Sequence, residues 1–278
     1  MSCVDLLSVA EQQRSRGWGL GAFNVVQLET AEILVSAAES VDQPIVLQIS
    51  QNAVRYHGGQ LAPLGKAVLE IASLSKVPTV VHLDHADDLD LIDEAIDLGF
   101  TSVMYDGSKL DYEQNVRNTI SVVKKCHERS ISVEAELGEV GGKDGVHAPG
   151  VQTKPHEAKK FVEDTGVDLL AVAVGSSHAM TERSAKLNNE LIASLAQTLS
   201  LPLVLHGSSG VSDEGMRAAI EAGMTKINVS THLNVTFTQT VRHYLDQNPK
   251  VVDPRKYMRA GNDEVYREVV RLLNLYSQ

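Results

Sequence analysis

The amino-acid sequence predicts an α/β protein folded as a (β/α)8 TIM barrel with additional carboxy-terminal helices, in one domain spanning residues 1–278. Three observations carry this prediction. Short runs rich in Val, Ile and Leu alternate with longer stretches of helical periodicity eight times along the chain, the pattern of βα units laid on a parallel sheet. The length of 278 residues and the 43% hydrophobic content are enough for one large core, and a closed barrel is an ordinary use of that length. No Gly-x-Gly-x-x-Gly turn follows the first apolar run, so the usual mark of an open dinucleotide-binding sheet is absent.

The expected strands are 20–25, 45–50, 79–84, 102–106, 132–137, 169–175, 203–207 and 226–230. Each is a continuous apolar run because a parallel strand is covered on both faces. Helical patterns lie between them at 28–40, 61–75, 89–98, 112–128, 156–165, 188–199 and 213–222. Gly99, Gly166 and Gly223 follow three of these helices, where a left-handed residue stops a helix at little steric cost. Two stretches break the rhythm. Residues 139–155 hold Gly141, Gly142, Gly145 and Pro149, and read as a mobile loop over the barrel mouth, of the kind that closes on substrate. Beyond the eighth strand, helices are expected at 236–247 and 263–275, joined by 248–262.

Composition narrows the function. A formal net charge of -11 argues against nucleic acid held through a broad basic surface, while a local positive pocket can still take an anionic small molecule. Cys3 and Cys126 give neither a disulfide framework nor metal-finger spacing, which fits a reducing cytoplasm. Residues 1–7 show no basic leader followed by an apolar core, and no apolar stretch is long enough to span a bilayer. The expectation is a cytoplasmic protein with a small-molecule partner, no nucleic acid and no membrane.

Chemistry gathers at the expected carboxyl ends of the strands, where barrel enzymes place it. The third run ends in His82-Leu83-Asp84-His85-Ala86-Asp87-Asp88. Neighbours on a strand point to opposite faces, so the strand is expected to end here for both Asp84 and His85 to reach the mouth. Taken alone, the pair reads equally well as a helix-capping carboxylate beside a core histidine. His178 and His206 occupy comparable places, after the sixth strand and at the end of the seventh. Three neutral imidazoles from separate strands can hold a divalent ion with a position open for substrate, and zinc suits three nitrogens best. Asp106 and Glu136 end the fourth and fifth strands. They read either as oxygen ligands of a second or displaced metal position or as rim carboxylates bonded to loop amides.

A phosphate-type signal lies beside them. His206-Gly207-Ser208-Ser209-Gly210-Val211 leads into a helix beginning near Ser212, and its small residues let backbone amides approach an anion at the helix amino terminus. Asn228, Val229, Ser230 and Thr231 supply further donors. Loops after strands seven and eight are a common phosphate site in barrels.

With these pieces in place, nearly the whole chain resembles the class II, metal-dependent ketose-bisphosphate aldolases, the family of fructose-bisphosphate and tagatose-bisphosphate aldolases. The likeness runs through Gly21-Ala22-Phe23-Asn24-Val25, His82-Leu83-Asp84-His85, Ser102-Val103-Met104-Tyr105-Asp106-Gly107-Ser108, Ser132-Val133-Glu134-Ala135-Glu136-Leu137-Gly138, Gly141-Gly142, Ala171-Val172-Ala173-Val174-Gly175, Leu205-His206-Gly207 and Lys226-Ile227-Asn228. The resemblance implies Zn2+ held by His85, His178 and His206, with Asp106 and Glu136 at an alternative metal position and a monovalent cation, Na+ or K+, near the phosphate. It implies dihydroxyacetone phosphate bound by Gly207, Ser208, Ser209 and residues 228–231, with Asn24 and Ser50 among the substrate-binding residues. Asp84 matches the group that works on the aldehyde oxygen, and Asp144 the base that takes a proton from the ketone. Arg259, in Asp253-Pro254-Arg255-Lys256-Tyr257-Met258-Arg259, matches an arginine that binds the second phosphate across the interface of a homodimer or homotetramer.

The implied reaction is reversible cleavage of a ketose 1-phosphate or ketose 1,6-bisphosphate through a zinc-stabilised enediolate. Several positions depart from the family pattern. Ala179 stands where glycine is usual, Ser208 where glycine or alanine is common, His232 where an acidic residue is usual, and Asp144 is one methylene shorter than the usual glutamate. These changes surround the substrate, so an aldolase acting on a different ketose 1-phosphate is an alternative. A non-catalytic sugar-phosphate binding protein, a metal-dependent hydrolase and an imine-forming aldolase using Lys226 are the other readings, the last weakened because Lys226 begins its strand, at the wrong end for barrel chemistry.

Overall fold

The eight apolar runs pair edge to edge in chain order and close on themselves as a parallel barrel. The structure is a computed structural model, and it describes residues 3–137 and 152–278. The strands are β1 (Leu20–Asn24), β2 (Ile45–Ser50), β3 (Thr79–Ala86), β4 (Ser102–Tyr105), β5 (Ser132–Leu137), β6 (Leu169–Val172), β7 (Leu203–Leu205) and β8 (Met224–Val229). The helices are α1 (Leu6–Arg16), α2 (Leu28–Ser40), α3 (Gln51–Tyr56), α4 (Ala62–Leu74), α5 (Leu89–Leu98), α6 (Tyr112–His127), α7 (Pro155–Thr165), α8 (Asn189–Thr198), α9 (Asp213–Glu221), α10 (Thr231–Gln247) and α11 (Pro254–Tyr276). None of the described helices is long and apolar enough to cross a membrane.

Strand register sorts the side chains into two layers. Leu20 pairs with Lys226, Ala22 with Val46 and Asn228, Gln48 with His82, and Ser50 with Asp84. Further round, His82 pairs with Ser102, Met104 with Glu134, Glu136 with Ala171, and Ala171 with Val204. Laterally aligned residues of a parallel sheet share a face, so this set lines the barrel interior. Its amino-terminal floor is apolar: Leu6, Val9 and Ala10 of α1 pack against Leu20, Val46, Val80, Leu169 and Val204. Above that floor the interior turns polar, with Gln48, His82, Ser102, Glu134 and Lys226 fully buried, where barrels generally stack Val, Ile and Leu. The outward residues Phe23, Leu47, Val81, Val133 and Ile227 join the main apolar core.

Several expected boundaries shift. β3 does not end at Asp84. It continues to Ala86 through a register break between Leu83 and Ala86, at which His85 takes a left-handed φ of 49°. A bulge thus replaces the expected strand end, because it re-aims one side chain without ending the pairing. β6 and β7 stop earlier than 175 and 207. In place of a joint through 248–262, α11 starts at Pro254, with Asp253 accepting from the Arg255 amide as N-cap and proline in the first turn, the usual order for a helix start. α10 likewise begins at Thr231, not at 236. α1 and α3 were not expected. α1 is set by its ends, an Asp5 side chain accepting from Ser8 N and a left-handed Gly17. Of the expected loop 139–155, residues 139–151 lie outside the described residues.

Candidate active site

The bulge in β3 aims two neighbouring side chains at one place. Asp84 follows the inward alternation of β3, and the positive φ of His85 swings the next residue to the same side. Both line a cavity of about 320 Å³ at the carboxyl ends of the strands. His178, from the loop after β6, and His206, one residue past β7, meet His85 there, with ring centroids 4.9 Å and 4.4 Å from it and 5.6 Å from each other. One nitrogen from each of the three lies within 4.8 Å of the others. Three imidazole donors on separate elements, two in the cavity wall and His206 just beneath it, fit a divalent ion with room for substrate. His85, Asp106 and Glu136 form a second such group, matching the expected displaced position. Asp106 also fits the other reading, since its Oδ1 accepts from Ser108 N at 3.3 Å and Oγ at 2.6 Å while Oδ2 lies 3.0 Å from His85 Nδ1.

Beneath the cavity runs a buried polar chain. Gln48 Nε2 donates to Asn24 Oδ1 (2.9 Å), Asn24 Nδ2 to Asp84 Oδ2 (3.1 Å), and Asn228 Nδ2 to Asp84 Oδ1 (3.4 Å). Lys226 Nζ donates to Asn228 Oδ1 at 2.9 Å and pairs with Glu134 Oε2 at 2.9 Å. His206 lies between two carboxylates, Nε2 2.9 Å from Glu134 Oε1 and Nδ1 3.1 Å from Glu136 Oε2. Burial alone would lower the His206 pKa, but hydrogen bonds to Glu134 and Glu136 outweigh it and lift it to about 9. A cation held by this imidazole would take the place of a proton. Burial works to raise the Glu134 pKa, yet Lys226 and His206 hold it well below the usual carboxylate range. Burial and the Lys226 charge push His82 down to about 3. Asp84 is lowered, with burial opposed by His85, Lys226 and His206. It rests as a carboxylate in this arrangement.

The phosphate-type turn is built as its sequence implies. Gly207 sits at φ 66°, and a Cβ there would meet Ser177 O at 2.5 Å, so glycine is required twice over. Ser208–Gly210 form one 3-10 turn, and Ser212 caps α9. Gly207, Ser209, Asn228, Ser230 and Thr231 line the cavity, as do Asn24 and Ser50.

Two expectations need correcting, at Ser208 and Val229, and other residues fall outside the cavity wall. Ser208 is 3% exposed and its hydroxyl is spent on the Asn228 carbonyl, turned away from the cavity. Val229 points outward into the apolar core, because it is one residue out of phase with the inner face. Glu136 and His206 lie just below the cavity wall, fully buried. Arg259 is exposed on α11 and does not line this cavity. Asp144 lies outside the described residues. Sequence reasoning missed Gln48, His82, Glu134 and the inward placement of Lys226. The available signal was polar residues two apart near the ends of otherwise apolar runs, as with Gln48 and Ser50 in Ile45-Val46-Leu47-Gln48-Ile49-Ser50. Arg55 on α3, with Asp87 and Lys109 in loops, also lies in the cavity wall, and none of the three carried a signal in the sequence.

The chain matches the family described as class-II fructose-bisphosphate aldolase over residues 4–278. It belongs to that family. Fructose-bisphosphate aldolase from Geobacillus stearothermophilus is 38% identical over 97% of this chain and 95% of its own, and that from Thermus caldophilus 36% identical over 95% and 94%. Among solved structures, the YdjI aldolase from Escherichia coli K12 superposes with a TM-score of 0.86 at 29% identity, covering 99% of this chain and 97% of its own. Membership in the class-II aldolases implies a lyase reaction, aldol cleavage of a ketose bisphosphate. In this class-II aldolase, Ala179 stands at φ 58°, a left-handed position that glycine holds more easily.

Proposed function

We propose that the protein is a zinc-dependent aldolase that reversibly cleaves a ketose 1-phosphate or ketose 1,6-bisphosphate, of the fructose- or tagatose-bisphosphate type, into dihydroxyacetone phosphate and an aldehyde. One observation carries the reading. Three imidazole nitrogens lie mutually within 4.8 Å, two of them, on His85 and His178, in the wall of a cavity shared with the Asp84 carboxylate, Gly207 and Ser209, and the third, on His206, just beneath it.

The residues divide the work by position. Gly207, Ser209, Asn228, Ser230 and Thr231 receive the donor phosphate on backbone amides and hydroxyls. His85, His178 and His206 would hold the divalent ion, which supplies Lewis acidity at the ketone carbonyl. Asp84, fixed by Asn24 and Asn228, takes the proton of the C4 hydroxyl as the C3–C4 bond breaks. That bond's electron pair passes toward the C2 carbonyl of the donor half, and the aldehyde leaves with the remaining carbons. Asp144, matched to the group that exchanges a proton with the ketone, then donates a proton to C3 to complete dihydroxyacetone phosphate. Arg55 and Lys109, after β2 and β4, face the acceptor half and favour an anionic tail. Arg259 serves a neighbouring copy in a homodimer or homotetramer.

Lys226 does not fit an imine enzyme, since it is fully buried between Glu134 and Asn228. Elemental analysis should find about one zinc per chain. Cleavage of a panel of ketose 1-phosphates and 1,6-bisphosphates should vanish on chelation and return with zinc. Undiminished cleavage after stringent demetallation, or borohydride trapping of substrate on the protein, would overturn the reading.

A further inference from the structure

The two loops assigned to the donor phosphate are tied to each other by few bonds. Ser208 Oγ reaches the Asn228 carbonyl, and the His232 amide donates to Ser209 Oγ at 3.2 Å. The second bond stands in for a missing cap, because Ser230, the N-cap of α10, makes no side-chain bond to its own helix and the first amides of a helix need an acceptor. The placement of His232 therefore sets the spacing between the 207–209 turn and the first turn of α10.

Its side chain is leashed from behind. His232 Nε2 lies 2.6 Å from Glu268 Oε1 on α11. Glu268 is gripped two-pronged by Arg271, at 2.9 Å and 2.7 Å. Burial would raise the Glu268 pKa, but Arg271 and His232 hold it at about 2, so the leash keeps its charge. Arg271 continues to Asp213 at 2.5 Å, Asp213 to Arg183 at 2.6 Å, and Arg183 Nε to the Val211 carbonyl at 2.8 Å. One chain of alternating charges, anchored on α11, thus braces the loops after β6, β7 and β8. Of these five side chains, none lines the main cavity.

We propose that His232 is a positioning residue for the donor phosphate: its pairing with Glu268 holds the first turn of α10 against Ser209 at the separation a phosphate needs. The inference rests on the reading that 207–209 and 228–231 hold that phosphate.

The test compares the zinc-loaded full chain with His232→Ala, His232→Gln and His232→Asp. Hydrogen bonds to charged groups are strong enough that losing one is worth about a tenfold change. His232→Ala should raise KM for the ketose phosphate, and the calorimetric Kd for inorganic phosphate, about tenfold, with kcat within about twofold of the parent. His232→Gln, whose amide can donate to Glu268, should recover most of that loss. His232→Asp, which sets a second carboxylate against Glu268, should do worse than alanine. Unchanged KM and Kd in His232→Ala, a fall in kcat and melting temperature without a change in KM, or failure of glutamine to rescue would each overturn the inference while leaving the aldolase reading intact. A parent protein that binds no phosphate and cleaves no ketose phosphate would remove both.

Discussion

Backbone conformation decides what two single residues can do. At His85 a left-handed φ of 49° serves the site, because it brings a ligand candidate to the same side as Asp84. At Ala179 a φ of 58° sits next to His178, and no such gain is visible for its methyl group. A left-handed alanine costs about 1–2 kcal/mol relative to its preferred backbone. Ala179→Gly should therefore stabilise the fold by about 1 kcal/mol, partly offset by entropy gained in the unfolded chain, and raise the melting temperature by about 2 °C in calorimetry. A lower melting temperature would show that this backbone is not strained. Cys126 gives a second residue-level expectation. It is fully buried, and burial, with Asp168 and Asp93 nearby, pushes its thiol up to about 12. Because the folded value is raised, the folded state is favoured below the ordinary thiol range and loses that advantage as pH climbs from there toward 12. At pH 8 a disulfide reagent should label Cys126 only after denaturant is added, while rapid labelling of both cysteines in the folded protein would contradict its burial.

Among elements, the carboxy-terminal pair shows where packing and not periodicity sets the structure. α10 and α11 meet where Gly261 faces Phe237: a Cβ at 261 would lie 2.6 Å from two ring carbons and 3.0 Å from Val241 Cγ2. Gly261→Ala should cost about 1–3 kcal/mol through overpacking, read as a lower urea midpoint with an unchanged slope. No loss would mean the ring moves freely. The barrel itself was legible in the sequence because parallel strands buried on both faces leave unbroken apolar runs, and β2, β5 and the start of β3 fall where those runs lie. The first helical turns of α10 and α11 were not, because Asp253-Pro254 marks a helix start only to a reader who already expects a helix. The site was legible to a similar depth. His85, His178, His206 and Gly207 announce themselves at strand ends, whereas Glu134 and Lys226 gain meaning only from lateral register, which places them together on the inner face. Ser208 and Val229 were misplaced for the same reason, since which residue of a loop or strand end faces inward depends on phase that neighbouring strands impose.

At the scale of the whole molecule, charges cluster in the barrel's upper half while its floor is apolar. Glu134, Glu136, Asp84 and Asp106 surround three imidazoles, and within the buried interior Glu134 is paired with both Lys226 and His206. Such a carboxylate-rich interior is costly to keep out of water unless each charge is paired, and it is assembled from β3, β4, β5, β7 and β8 together, so it exists only when the barrel is closed. An ion that binds this set binds the folded chain and has no comparable site on the unfolded one. Folding and metal binding must therefore be linked, and the size of the link follows from mass action: free zinc at about a thousand times its dissociation constant adds about 4 kcal/mol to folding stability. For a chain of this length that corresponds to a melting temperature about 8 °C or more above the chelated protein. His178→Ala removes one donor but leaves the barrel interior untouched, so its melting temperature with zinc should fall close to that of the chelated parent, while its chelated form melts near the chelated parent. Calorimetry of the four samples decides the matter. Equal zinc-induced shifts in the parent and in His178→Ala would mean that zinc stabilises the fold from somewhere other than the three imidazoles.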